Sequence, residues 1–182
     1  MNVEMIKRES ITGSRRISNY AWVIILTVGG LGFLLSGISS YLKINLLPFT
    51  DSTQLVFIPQ GILLTFYGSI ALLISLYIVL TIFWDIGGGY NEFNKTDQLV
   101  RIVRKGFPGK DREIFLVYPM EIVKNVAIEI KDGLNPRRMI YLCTKDDRRI
   151  PLTEVGEPMA LALLEKKATQ LADFLEVNVE QA

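Results

Sequence analysis

The sequence predicts an α+β membrane protein, with an N-terminal hairpin of two transmembrane helices and a small antiparallel β-sheet domain closed by a C-terminal amphipathic helix. Three observations carry that reading. Two uncharged apolar runs each match the thickness of a bilayer, the pattern changes to two-residue alternation after Trp84, and a three-and-four apolar stripe follows near the end. The 182 residues divide into a cytoplasmic or stromal tail (1–19), the hairpin (20–84, with helices at about 20–42 and 58–84) and a soluble domain (85–182) whose last helix covers 157–175.

Composition bounds the function. Hydrophobic residues make up 49% of the chain and mean hydropathy is +0.30, more than one small soluble core needs. A net charge of +1 provides no field to recruit nucleic acid. Cys143 is the single cysteine and histidine is absent, which removes the usual general base and the commonest metal ligand. The sequence therefore points to no catalytic residue, no metal site and no cofactor.

From Tyr20 to Leu42 no residue is charged, and Ile62 to Phe83 forms a second run of crossing length. Pro59 suits the first turn of the second helix. A cleavable signal peptide fits the first run poorly, because its apolar core is too long. The connector 43–51 carries one charge of each sign, while Lys7, Arg8, Arg15 and Arg16 precede the hairpin and Lys95, Arg101, Arg104 and Lys105 follow it. Basic residues stay on the side of insertion, so both termini are expected on the cytoplasmic or stromal side. Gly32, Ser36 and Ser40, with Ala71 and Ser75, form small-residue stripes that would let the two backbones pack closely. No ionisable side chain lies within either span, which argues against a transporter or channel.

Strands are expected at Tyr90–Asn94, Leu99–Arg104, Arg112–Tyr118, Ile122–Ile130, Met139–Thr144 and Arg149–Leu152, with turn-forming segments between them. In the fourth, Val126, Ile128 and Ile130 share one face, and Ala127, Glu129 and Lys131 the other, wet one. Glu157-Pro158 opens the last helix, whose stripe comprises Leu161, Leu164, Ala168, Leu171, Ala172 and Leu175. A strand meander ended by one helix is similar to the pleckstrin-homology-like roll, though six strands is one short of it.

Motifs for chemistry fail on their spacing. Gly87-Gly88-Gly89 lacks a dinucleotide pattern and reads as a hinge, and Asp111 stands where a phosphate loop ending in Gly109-Lys110 needs Ser or Thr. Asn94-Lys95-Thr96 matches a glycosylation acceptor, but on the wrong side of the membrane. Arg137-Arg138 and Arg148-Arg149, on adjacent strands of one hairpin, are read either as a basic patch suited to acidic protein or lipid headgroups or, equally, as plain solvated surface.

Further stretches carry a family resemblance: Ile11-Thr12-Gly13-Ser14-Arg15, Pro59-Gln60-Gly61, Phe66-Tyr67-Gly68, Val100-Arg101-Ile102 with Arg104, Gly106-Phe107-Pro108-Gly109-Lys110, Ile150-Pro151-Leu152-Thr153, and Glu165 to Leu175. The chain resembles, over nearly its whole length, the photosystem I assembly proteins of cyanobacterial and plastid thylakoids. That resemblance implies a non-enzymatic scaffold in the thylakoid membrane that holds newly made photosystem I subunits while they join. The implied partners are those subunits, other assembly factors and the lipid bilayer, with an oligomer also open. Resemblance and expected exposure together single out Arg104, Phe107, Lys110, Arg112 and Glu165 as candidate partner contacts. The rival reading is a membrane-tethered lipid-headgroup or protein-binding module of pleckstrin-like fold.

Overall fold

A computed structural model describes residues 5–131, 137–153 and 160–181. The chain divides into two compact units, Ser14–Ile86 and Met1–Gly13 with Gly87–Ala182.

The first unit is a helical hairpin. Helix α1 spans Ile17–Leu42, and a turn at Phe57–Gly61 leads into α2, Ile62–Phe83. Both are long and apolar enough to cross a membrane, and only 11% of the most apolar window of each is buried. The buried positions are small. Gly30 and Gly37 on α1, Gly61 at the end of the turn, and Gly68 and Ser75 on α2 lie in the seam. A Cβ at Gly68 would sit 2.5 Å from the Leu34 nitrogen, and one at Gly37 would sit 2.2 Å from Thr65 Oγ1, so the two backbones pass in near contact. The predicted stripe is correct at Ser40, Ala71 and Ser75 but wrong at Gly32, where an added Cβ meets open space. The seam repeats every seven residues from Gly30 to Gly37, which a four-residue count misses. Inside it, Thr27 and Ser75 share a 2.7 Å hydrogen bond, and Ser75 Oγ donates to the Val23 carbonyl at 3.3 Å. The open end is stitched by Ser14 Oγ donating to the Thr81 carbonyl at 2.7 Å and by Arg15 beside Asp85 at 3.6 Å.

The second unit is α+β and holds two four-stranded sheets. Strands β1 (Ile6–Ile11), β2 (Gly89–Asn94), β3 (Leu99–Lys105) and β4 (Glu113–Pro119) form one antiparallel sheet in that order. Strands β5 (Val123–Lys131), β6 (Arg137–Thr144) and β7 (Arg149–Pro151) follow, then helix α3 (Leu161–Leu175) and β8 (Asn178–Gln181), giving the order β7-β6-β5-β8. All six expected strands are present within a residue or two. β1 and β8 were not anticipated, and β8 runs parallel to β5. β1, assigned above to a tail, alternates in burial without alternating in polarity, and pairing with β2 holds it extended. The expected start of the last helix at 157–159 lies outside the described residues.

One core joins both sheets. Phe93, Val100 and Ile102 from the first meet Val126, Ile128, Ile140 and Leu142 from the second, and Leu164, Ala168, Leu171 and Leu175 of α3 pack on them. Ala127, expected on a wet face, is buried. Its neighbours on that face, Tyr141 and Glu180, flank it from β6 and from the unanticipated β8.

The triple glycine is no loose hinge. Gly87 N–H donates to the Lys105 carbonyl and Lys105 N–H donates to that of Gly88, both at 2.7 Å. Gly13 lies against this segment with φ +59°, and a Cβ there would fall 2.1 Å from the Gly88 nitrogen. Gly13→Ala is accordingly expected to cost on the order of 2–3 kcal/mol or more, and Leu142→Ala about 2–5 kcal/mol through a core cavity. Denaturant titration of the detergent-solubilised chain, followed by a β-sheet signal, checks both.

Candidate functional site

The five candidate contact residues occupy two places. Arg104 ends β3, and Phe107, Lys110 and Arg112 sit in the loop to β4, which the Gly106 N–H closes by donating to the Arg112 carbonyl at 2.6 Å. Glu165 lies on the exposed side of α3, a helix that packs on the second sheet.

Arg104 differs from the other four. Its guanidinium turns inward: Nη2 donates to Asn91 Oδ1 at 2.8 Å, and Nη1 to the carbonyls of Val103 at 2.9 Å and Tyr90 at 3.3 Å. Asn91 is fully buried, and its Nδ2 donates to the Leu152 carbonyl at 2.8 Å. Arg104 and Asn91 thus tie the first sheet to the segment leaving β7. The register explains this, since Asn91 and Ile102 share one face of the sheet with Gly89 and Arg104. Phe107, Lys110, Arg112 and Glu165 are exposed as expected.

The two arginine pairs do not form one patch. Arg149 pairs with Cys143 and Ile150 with Leu142, so Arg138 lies five residues further along β6, about 16 Å away at strand rise. Arg148 and Arg149 are exposed near the β6–β7 turn, and the side chain of Arg137 lies outside the described residues. The acceptor asparagine Asn94 is buried instead of offered to modification, and its Oδ1 accepts from the N–H groups of Thr96 and Asp97.

Electrostatic perturbations are few and local. Hydrogen bonding to Lys95, at 2.6 Å, holds the Glu176 carboxyl below its usual range, beside an open depression of about 230 Å³ that Met120, Glu121 and Leu175 also line. Glu92 and Asp97 both hydrogen-bond Arg101 and raise its pKa. Burial pushes the Cys143 thiol up. Among the described residues, no three of the His, Cys, Asp and Glu side chains converge as a metal-binding group.

β4 is the strand expected at Arg112–Tyr118, but its apolar residues were not among the candidate contacts. Ile114, Phe115, Leu116 and Val117 are all exposed on an edge strand. The signal was present in five consecutive apolar residues, 114–118, where a strand with one wet face would alternate.

The architecture defines an α+β protein carrying a hairpin of two long apolar helices, with its candidate site on exposed surface instead of in a catalytic cleft. The chain belongs to the Ycf4 family, whose model matches residues 4–173. It is similar to the photosystem I assembly protein Ycf4 of Phaeodactylum tricornutum, at 59% identity over 96% of this chain and 97% of the relative. Proteins of the same name in Pyropia yezoensis, at 56% over 100% and 98%, and Trichodesmium erythraeum, at 54% over 97% and 95%, are also similar. The family is one of assembly proteins.

Two outcomes follow from this geometry. Arg104→Ala is expected to lower stability by about 1–3 kcal/mol by leaving Asn91 without its donor, whereas Arg112→Ala stays within about 0.5 kcal/mol; urea titration of both variants distinguishes them. Because the thiolate is the reacting form, the raised pKa of Cys143 means that alkylation is slower at pH 8 than for a free cysteine peptide. Its rate should keep climbing with pH after the peptide has levelled off.

Proposed function

We propose that the chain is a non-enzymatic scaffold for photosystem I assembly in the thylakoid membrane. The observation that carries this reading is its similarity along nearly the full length to relatives named for that assembly. The hairpin spans the bilayer. Its helices leave Trp22, Ile24, Ile25, Val28, Phe66, Leu73 and Leu76 exposed, an apolar surface that water does not tolerate and lipid does. Small residues in the seam and the absence of ionisable groups within the spans fit the same solvent. The excess of Lys and Arg in residues 1–19 and 95–105 over the connector favours both termini on the cytoplasmic or stromal side.

Tethering is what such a scaffold contributes. Confinement to a surface raises the effective concentration of each later encounter. The loop holding Phe107, Lys110 and Arg112, together with Glu165, supplies exposed charge and one exposed ring for photosystem I subunits or other assembly factors. The soluble unit reads as a pleckstrin-homology-like roll, with β1–β4 as a four-stranded meander, β5–β7 as a three-stranded one, then α3, and β8 as an addition.

Deleting the gene should deplete photosystem I while sparing photosystem II, measured by immunoblot and P700 absorbance. Undiminished photosystem I would reject the role. Alkaline carbonate should leave the chain with the membrane pellet, and its release would reject the spanning hairpin.

A further inference from the structure

Three features converge at one end of the first sheet. The first is covalent. The chain leaves the soluble unit at Gly13 and returns at Gly87, and both points lie at the Ile11–Gly89 end of the β1–β2 pair. Gly87 and Gly88 are hydrogen-bonded to Lys105, the residue that opens the 106–112 loop. Residues 14–16 and 84–86 link these points to α1 and α2, each segment about 14 Å long when fully extended.

The second is chemical. This loop end presents Phe107 at 55% exposure, Ile114 at 55% and Phe115 at 59%, two rings and a branched aliphatic side chain. Around them, residues 105–113 carry three cations, Lys105, Lys110 and Arg112, against the carboxylates of Asp111 and Glu113; Arg104 is turned inward and is not counted among them. Exposed rings with a basic surround suit the boundary between headgroups and acyl chains of an anionic bilayer.

The third is the contrast between the two edges of the sheet. β1, one edge, carries Lys7, Arg8 and Glu9, which protect it from further pairing. β4, the other, has no charge from Ile114 to Pro119, as expected of an edge whose first residues are covered in the cell.

We infer that the β3–β4 loop and the first residues of β4 form a second, interfacial membrane contact, in which Phe107 and Phe115 enter the headgroup layer and Lys105, Lys110 and Arg112 meet anionic lipid phosphates. The occupant is the bilayer that the hairpin spans, so the inference rests on the spanning reading proposed above. It assigns Phe107, Lys110 and Arg112 to lipid and leaves Glu165, exposed on α3, as the candidate contact for photosystem I subunits.

The test uses the full chain, with Cys143→Ser, in nanodiscs of phosphatidylcholine with phosphatidylglycerol. A nitroxide is attached through Gly109→Cys, where an added side chain meets open space. Asp146→Cys in the β6–β7 turn and Leu73→Cys in α2 serve as water and lipid references. Accessibility to a nickel chelate at residue 109 should be several-fold below that at 146, with oxygen favoured. Phe107→Ser, or Lys105, Lys110 and Arg112 changed together to Gln, should restore nickel access. If 109 is as nickel-accessible as 146 while 73 stays oxygen-dominated, this inference alone fails. If 73 is also nickel-accessible, the spanning reading fails with it. Dipolar broadening at 109 would place a second copy there and overturn the lipid assignment.

Discussion

The fold depends on a constraint at one crossing of backbones. The apolar hairpin is inserted between β1 and β2, two strands hydrogen-bonded along their whole length from Ile6↔Asn94 to Ile11↔Gly89. The two ends of the insert must therefore return to the same point, and they do so where Gly13 passes Gly87 and Gly88 too closely for any Cβ. An antiparallel helix pair with an even number of passes meets this requirement. The small-residue seam from Gly30 to Gly37 and from Gly61 to Ser75 lets the pair close.

From that crossing the soluble unit is built outward. β2 and β3 present Phe93, Val100 and Ile102 to the shared core. Where the core ends, toward Gly89, the same face turns polar. There Asn91 and Arg104 replace packing with directed hydrogen bonds that reach Leu152. A resemblance that marks Arg104 for partner contact thus meets a side chain committed to holding two sheets together, whereas Phe107, Lys110 and Arg112 beside it face outward.

Much of this was legible in the residues, and the exceptions share a cause. The two long helices announced themselves as uncharged apolar runs of crossing length, whereas the inner stripe of α3 from Leu164 to Leu175 shows the period that burial imposes on apolar residues. β1 and β8 are edge strands whose sequences, Ile6-Lys7-Arg8-Glu9-Ser10-Ile11 and Asn178-Val179-Glu180-Gln181, bury little. They are extended because a neighbour pairs with them, and pairing leaves no mark on polarity. The arginines failed for a related reason. A sequence shows that Arg138 and Arg149 lie on neighbouring strands, but register decides whether they meet, and here it sets Arg149 opposite Cys143. The exposed set of Phe107, Lys110, Arg112 and Glu165 was reached through resemblance, since isolated surface charges have no periodicity to betray them.

The place of β1 also sets an order of events during synthesis. It precedes both helices in the chain, yet among the described residues the strand that pairs with it is β2, some eighty residues later. Until β2 has been made, β1 has no strand to bond with and the four-stranded sheet lacks its charged edge. Completion of that sheet therefore waits on synthesis of the whole hairpin between them.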